Sequence, residues 1–140
     1  MAEEPYRTVA GRGEVAFEIR RSEFIGRAVP ARTVEEAEAF VADVREAHPD
    51  ASHVVPAYRV RVGDDGGFLR EWSSDDGEPT NSAGKPALNV LVQGEIENVV
   101  VAITRYYGGT NLGVGGLARA YSRGAREAIE DAGVVERAPH

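Results

Sequence analysis

The chain has 140 residues, a formal net charge of −7 and no cysteine. Its length predicts one domain with a sizeable core, and the missing cysteine excludes disulfides and cysteine-ligated zinc. The N-terminus lacks the apolar run of a signal peptide. The longest unbroken hydrophobic run, Val99 to Ile103, is too short to cross a bilayer. We therefore expect a cytoplasmic protein without membrane contact.

The N-terminal segment predicts two strands and a helix. Alternating apolar residues from Val15 to Ile19, and a second apolar stretch that ends before Pro30, are typical of strands. Thr33-Val34-Glu35-Glu36 has the pattern of a capping box, which begins a helix. Apolar residues then recur at helical spacing until Pro49, where the helix is expected to stop.

A hairpin and a polar loop are predicted next. The residues from Val54 to Val62 alternate as in a strand, and we place the hairpin turn at Asp65-Gly66. The returning strand covers Phe68 to Trp72. The following segment, SSDDGEPTNSAGKP, is too polar and too rich in Gly and Pro for regular structure, and a short helix is expected to start near Pro86.

The C-terminal third predicts a buried strand and a long helix. Val99 to Ile103 is apolar on both alternating faces, as in a central strand. The helix is expected from Gly116 to Ala132. Its inner stripe would be Leu117, Tyr121, Ala125, Ala128 and Ala132. The order β-β-α-β-β-α-β-α predicts an α+β domain of two layers, with the helices on one face of the sheet.

The glycine-rich segment between this strand and this helix resembles nucleotide-binding loops only in part. Gly113 to Ala118 fits G-x-G-x-x-A, but the first glycine lies too far beyond the strand, and too little chain follows for a doubly wound sheet. The P-loop pattern fails because Val114 stands where lysine is required and Gly115 where Ser or Thr would hold magnesium. Neither nucleotide fold is therefore predicted.

A more general anion site remains open. Residues 98–126 contain four arginines and no Asp or Glu, in a chain that is otherwise acidic. Helices favour acids in the first turn and bases in the last, yet here Arg119, Arg123 and Arg126 precede Glu127 and Glu130. The alternative is a solvated helix face, with the glycines serving a turn and close helix–strand packing.

Evidence for catalysis in the sequence is weak. Asp75, Asp76 and Glu78 could hold magnesium through oxygen ligands, although acidic loops are usually only solvated. His53 is a lone imidazole, which is more often a packing or hydrogen-bonding residue than a base. Lys85 is the only lysine. No nucleophile–histidine–acid set stands out, so we lean against an enzyme.

Four segments in order resemble the IMPACT (YigZ) family N-terminal domain. They are SEFIG, SHVVPAYRV, SDDGEPTNSAGKPALNVL and RYYGGTNLGVGGLARAYS. The resemblance covers about Val15 to Ala132 and implies an α+β fold like the second domain of ribosomal small-subunit protein five. It implies a link to regulation of translation and to the response to amino-acid starvation, as in the eukaryotic members. RNA binding is proposed for prokaryotic members by analogy of fold.

The resemblance also implies a shared polar set. Carried over position by position, it is His53, Asp75, Asp76, Glu78, Lys85, Arg105, Arg119 and Tyr121. Val55 replaces a cysteine found in many members, which excludes thiol chemistry at that position. We expect residues 1–140 to form a single domain with an ordered core of about residues 14–132. The ferredoxin-like second domain of longer members is expected to be absent.

From these observations we expect a non-catalytic regulatory module that binds RNA or a ribosome-associated protein through an anion-binding surface, without a cofactor. The expected binding residues are Arg105, Gly108, Gly109, Gly113, Gly115, Gly116, Arg119, Tyr121, Arg123 and Arg126. The alternative is a magnesium-dependent enzyme acting on a small phosphorylated substrate. Its metal would be held by Asp75, Asp76 and Glu78, and its acid or base would be His53 or Lys85.

Overall fold

Ten secondary-structure elements lie in the part of the chain that the computed structural model describes, residues 5–64 and 67–138. In chain order they are β1 (Tyr6–Val9), β2 (Gly13–Ile19), β3 (Ser22–Pro30), α1 (Val34–Ala47), β4 (His53–Val62), β5 (Phe68–Ser73), α2 (Gly84–Gln93), β6 (Val99–Tyr106), α3 (Gly113–Ala132) and β7 (Val134–Arg137). The α+β class and the order predicted from β2 to α3 are confirmed. The expected turn at Asp65-Gly66 lies outside the described residues.

The central element is strand β6, in an antiparallel five-stranded sheet of order β2-β3-β6-β4-β5. Every residue of β6 except the last is buried. Val101 and Ile103 join one hydrophobic cluster, whereas Val100 and Ala102 join another on the opposite face. A strand that is apolar on both faces must be covered on both, and this requirement sets the layer arrangement.

The helices lie on both faces of the sheet, which corrects the expected two-layer arrangement with all helices on one face. Helices α2 and α3 pack on the side of Val101 and Ile103. Helix α1 packs on the side of Val100 through its own apolar residues, including Phe40 and Val44. The correction follows from the sequence of β6, whose apolar residues occupy both alternations. Among the described residues, none of the helices combines the length and apolar character needed to cross a membrane.

The predicted start of α1 and the predicted inner face of α3 agree with the structure, whereas α2 and α3 begin at Gly84 and Gly113, before the expected Pro86 and Gly116. Thr33 is the N-cap of α1, and its hydroxyl accepts the Glu36 N–H at 3.0 Å. The expected inner stripe of α3 is buried along its whole length. Strands β1 and β7 were not predicted. They pair with each other outside the expected core of residues 14–132 and form a separate two-stranded sheet.

Glycine allows α3 to approach the sheet closely. A Cβ atom added to Gly26 on β3 would lie 2.5 Å from the backbone oxygen of Gly124 on α3. A Cβ atom added to Gly124 would in turn lie 3.1 Å from the side chain of Ile103. Because the first of these contacts is with backbone, the helix would have to shift to accommodate any side chain at residue 26.

We predict that Gly26→Ala lowers the free energy of unfolding by about 1–3 kcal/mol, the usual cost of overpacking. Gly11→Ala is the matched control, because a Cβ atom at Gly11 would meet nothing within 4 Å. Urea denaturation of both variants measures the difference. An equal effect of the two substitutions would show that the contact between β3 and α3 does not require glycine.

Candidate functional site

The polar residues of the predicted site collect where β6 ends and α3 begins. Their centre is the Glu78 carboxylate, whose side chain is only 4% exposed. It accepts hydrogen bonds from Arg105 Nη1 at 2.8 and 3.1 Å and from the Tyr121 hydroxyl at 2.5 Å. This one buried carboxylate thereby joins the loop after β5 to the end of β6 and to the core face of α3.

Arg105 is enclosed on its other sides as well. Its Nε and Nη2 atoms donate to the Ser22 hydroxyl oxygen at 3.2 and 3.1 Å. The rings of Phe24 and Tyr107 lie 5.6 and 5.3 Å from the guanidinium carbon. We expected Arg105 to contact phosphate at the surface, but its side chain is 5% exposed and its charge is paired with Glu78. It is therefore not available to a ligand.

His53 completes this cluster from the first position of β4. It lies directly opposite Arg105 in the pairing of β4 with β6. Its Nδ1 atom is 2.8 Å from the backbone oxygen of Asp76, and its Nε2 atom is 3.4 Å from Glu78 Oε1. Both ring nitrogens thus face oxygen atoms of the loop that follows β5, and the imidazole holds that loop against the sheet.

Tyr121 acts in the cluster as a hydrogen-bond donor. Burial of the phenol, together with its hydrogen bond to the negatively charged Glu78, raises the pKa of Tyr121 well above its usual range. The hydroxyl therefore keeps its proton at neutral pH. It donates this proton to the Glu78 carboxylate in a hydrogen bond, and the side chain is buried. We expected Tyr121 to contact a ligand, and its buried position does not agree with that expectation.

Asp75 organises the start of α2. Its carboxylate accepts backbone N–H groups of Asn81, Ala83 and Gly84 at 2.9, 3.2 and 2.9 Å. Burial raises the pKa of Asp75, but the hydrogen bonds from Gly84, Asn81 and Ala83 and the nearby Lys85 outweigh it and hold the pKa below its usual range. The residue thus caps a helix that has no hydrogen bond from an N-cap side chain.

The other acidic residues of this loop also have protein partners. Asp76 accepts the Val54 N–H at 2.7 Å and pairs with Arg45 at 3.0 Å. Within residues 5–64 and 67–138, no three acidic or histidine side chains are grouped as metal ligands would be. Lys85 is an exposed residue in the first turn of α2, apart from the Glu78 cluster. Magnesium binding by this loop stays a prediction.

The glycine-rich segment forms a tight connection from β6 to α3. Gly108 packs against the backbone of Arg21, so any side chain at this position would collide with the turn between β2 and β3. Gly109 and Gly113 have φ values of 93° and 76°, which favour glycine. Helix α3 begins at Gly113 and contains the expected Gly115 and Gly116. It has no acidic residue in its first turn and no side-chain hydrogen bond from its N-cap.

The arginines of α3 have two different environments. Arg123 lies over the Phe17 ring of β2, 4.1 Å from its centroid, and pairs with Glu127 at 2.9 Å. Arg119 and Arg126 are exposed, and the structure shows no ion pair for either among the residues it describes. Because Arg119 lies one turn before Arg123, it is on the same side of α3, nearer the β2–β3 turn.

Two further cations at this turn were missed from the sequence. Arg20 and Arg21 form the two-residue turn between the paired residues Ile19 and Ser22. Their φ values are 47° and 72°, a conformation that hairpin turns usually assign to Asn, Asp or Gly. The short gap between two alternating strands was the signal that could have located them. We call the four exposed cations Arg20, Arg21, Arg119 and Arg126 the arginine surface.

Comparison with known proteins identifies the family. The model of the Impact N-terminal domain matches residues 20–129. The chain belongs to the Impact N-terminal domain family. It is 37% identical to IMPACT family member YvyE of Bacillus subtilis over 94% of its length, and 40% identical to IMPACT family member YigZ of Escherichia coli over 89%. It spans 59% and 60% of those two relatives.

Solved structures of similar chains agree with this Impact fold. A crystal structure of a hypothetical protein superposes with a TM-score of 0.89 at 37% identity, covering 98% of this chain and 66% of that one. The two-domain translational regulator Yih1 superposes with a TM-score of 0.53 at 25% identity, covering 94% of this chain and 49% of that one. The fold of the Impact domain is thus shared with longer proteins.

The structure divides the polar set implied by the Impact resemblance into an internal and an external part. The internal part comprises His53, Asp75, Asp76, Glu78, Arg105 and Tyr121, all of which contact other parts of the chain. The external part comprises Lys85 and Arg119. The polar residues of this set therefore mainly secure the loops around the end of β6, whereas Lys85 and Arg119 are exposed to solvent.

We predict strong coupling between Glu78 and Arg105. Arg105→Leu should destabilise the protein by about 3–5 kcal/mol, because it leaves a buried carboxylate unpaired. The double variant Glu78→Leu with Arg105→Leu should cost less than the sum of the two single substitutions. Urea denaturation of the four proteins measures the coupling. The half-buried i,i+4 pair Arg123 and Glu127 is the control and should show about 0.3–0.5 kcal/mol. Equal coupling in the two pairs would contradict this account.

We also predict that Asp75 stabilises the fold in a pH-dependent way. Its lowered pKa means that its contribution is complete above the unfolded value of about 3.9 and is lost as the pH falls through the lower folded value. Asp75→Asn should therefore cost about 1 kcal/mol at pH 7 and progressively less below about pH 4. Denaturation across this pH range tests the prediction, with the exposed Asp43→Asn as the control. A pH-independent difference from wild type would contradict it.

Proposed function

We propose that this domain is a non-catalytic regulatory module, linked to translation, which binds RNA through the arginine surface. The family relationship supports the link to translation, since the similar structure of Yih1 is that of a translational regulator. The chain matches about half of Yih1 and three fifths of YvyE. The proposal therefore concerns the binding step that this domain would contribute to translational regulation, and not the activity of a longer protein.

The exposed cations are the observation that carries the proposal. Among the described residues, Arg20, Arg21, Arg119 and Arg126 have no carboxylate partner, although the chain has a net charge of −7. Guanidinium groups bind phosphate oxygens in a forked geometry. Glu18 and Glu23, which flank the β2–β3 turn, lie opposite each other on the face of that hairpin away from Phe17. The face of the hairpin that carries Phe17 therefore has no carboxylate.

The start of α3 adds uncharged donors beside these cations. Its first turn has no acidic side chain, and Val114 and Gly115 are exposed. Backbone N–H groups at a helix N-terminus favour anions, and the Arg119 guanidinium lies beside Gly115. Tyr107, 49% exposed, precedes the glycines and offers a ring on which an unpaired base could stack. Phosphate and base contacts together favour a single-stranded RNA.

The contacts of the acidic loop give no specific support to the enzyme alternative. Each of its carboxylates accepts hydrogen bonds from the chain itself, and His53 has an oxygen atom near both ring nitrogens. A general base needs a free site within hydrogen-bonding reach of a substrate. These residues are better explained as the supports of the glycine-rich connection, so RNA binding is the function that the geometry favours.

We predict that a labelled single-stranded RNA binds this domain with an affinity that falls steeply between about 50 and 200 mM salt, because counterions are released from each neutralised phosphate. Arg119→Gln with Arg126→Gln should weaken binding at least about tenfold. It should also reduce the salt slope by about 1 for each phosphate that the variant no longer neutralises. Fluorescence anisotropy at several salt concentrations measures both quantities.

The control is Arg7→Gln with Arg70→Gln, which removes the same charge from exposed positions on β1 and β5. This variant should retain wild-type affinity and slope. If the two double variants weaken binding equally, the effect is one of net charge and the arginine surface is not the binding site. If wild type does not bind RNA at low salt, the RNA proposal fails, and a ribosome-associated protein becomes the partner to seek by pull-down.

A further inference from the structure

A pocket of about 430 Å³ lies at the end of the central strand that is farther from the arginine surface. Its lining residues are Tyr6, Thr8, Val9, Pro30, Arg32, Asn98 and Arg137. Asn98 directly precedes β6, whereas the glycine-rich connection follows it. With a rise of about 3.3 Å per residue, the eight residues of β6 place the two regions more than about 20 Å apart. The pocket is therefore separate from the start of α3, where the glycine-rich connection and Arg119 lie.

The pocket carries two positive charges and no negative one among its lining residues. Arg32 follows the end of β3, and Arg137 ends β7. In the described ranges neither guanidinium forms an ion pair. Glu36, in the first turn of α1, directs its carboxylate to the Arg32 backbone N–H at 2.9 Å. Two guanidinium groups beside one cavity favour a ligand with two negative charges.

Asn98 supplies an uncharged donor in a constrained position. Its φ of 54° lies in the left-handed region, which asparagine adopts more readily than most residues other than glycine. Three hydrogen bonds fix it there: its backbone oxygen accepts from Ala31 N–H and the Thr8 hydroxyl, and its Oδ1 accepts from Arg61 N–H. The side-chain NH₂ group is thereby left as the donor that Asn98 can offer at the pocket.

Tyr6 and Arg137 form one wall of the pocket. They are directly paired across β1 and β7, so their side chains lie on the same face of the small sheet. The wall therefore combines a guanidinium, a phenol hydroxyl and an aromatic ring. Such a mixture of a few polar groups with apolar surface is typical of sites for small organic ligands of this volume.

We propose that this pocket binds the phosphate group of a small phosphate monoester. A phosphate monoester carries two negative charges near neutral pH, which match Arg32 and Arg137, and its oxygens accept from Asn98 and Tyr6 as well. The volume leaves room for a sugar or nucleoside beside the phosphate. The same group occurs at the 5′ end of RNA, so the source of the phosphate is to be decided by experiment.

The test is an NMR titration of the ¹⁵N-labelled domain with AMP, with adenosine as the ligand that lacks the phosphate. AMP should shift the amide signals of Thr8 and Asn98, and adenosine should not. Arg32→Gln and Arg137→Gln should each weaken AMP binding at least about tenfold, the effect of removing one charge-assisted hydrogen bond. Arg7→Gln is the control, since Arg7 lies on β1 next to Tyr6 but points to the other face.

The source of the phosphate is settled by a second pair of ligands, an RNA with and without a 5′ phosphate. If AMP shifts the Thr8 and Asn98 signals, the site binds a small phosphate monoester. If only the 5′-phosphorylated RNA shifts them, the site binds the phosphate at the end of RNA. Equal shifts with adenosine, or equally weakened binding in the Arg7 variant, overturn the proposal. The outcome is independent of the arginine surface, because the Arg119 and Arg126 variant should bind AMP as wild type does.

Discussion

The buried ion pair of Glu78 and Arg105 holds together the segments on which the rest of this end of the molecule depends. It joins the loop after β5 to the central strand, and Tyr121 extends it to α3. Ser22 connects the same guanidinium to the start of β3. A buried pair of this kind adds little net stability over apolar residues of the same size, but removing one partner is costly. Its effect is therefore to fix one arrangement of four segments, and the position of the glycine-rich connection follows from it.

This arrangement determines which charges face outward. The only cation of β6 is used inside the molecule, and Arg123 is partly used by Glu127 and Phe17. The charges that remain exposed near α3 are Arg119 and Arg126, together with the two arginines of the β2–β3 turn. That turn is held in place because Gly108 packs on its backbone. The acidic loop, with its buried Glu78, thus supports the segments that carry the exposed arginines. In the sequence, the same two regions suggested alternative functional sites.

Much of the fold could be predicted from periodicity, but the environment of single charges could not. The stripe of α3 and the central position of β6 follow from apolar spacing, which reports burial directly. The predicted placement of α1 was wrong, although β6, which is apolar on both faces, already required a cover on both faces.

Arg105 continues the alternation of Val101 and Ile103 toward α2 and α3, and this spacing was the available signal of its burial. Its partner Glu78 is 27 residues away, and such a long-range contact leaves no local pattern. The pocket near Asn98 could not be predicted at all, because most of its lining residues lie on β1 and β7, two short strands from opposite ends of the chain.

Because the whole chain is acidic, the exposed arginines are expected to favour some anionic ligands over others. A protein with a net charge of −7 does not attract polyanions over its surface as a whole, so it is a poor general binder of nucleic acid. At physiological ionic strength the screening length is about 8 Å, and beyond it the acidic remainder has little influence on a bound phosphate. Contact is therefore favourable only where several guanidinium groups lie within that distance of the ligand and no carboxylate neutralises them. In the described part of the chain this condition would confine the proposed phosphate contacts to the arginine surface and the pocket near Asn98, and it would favour a ligand whose phosphates fit the spacing of the arginines.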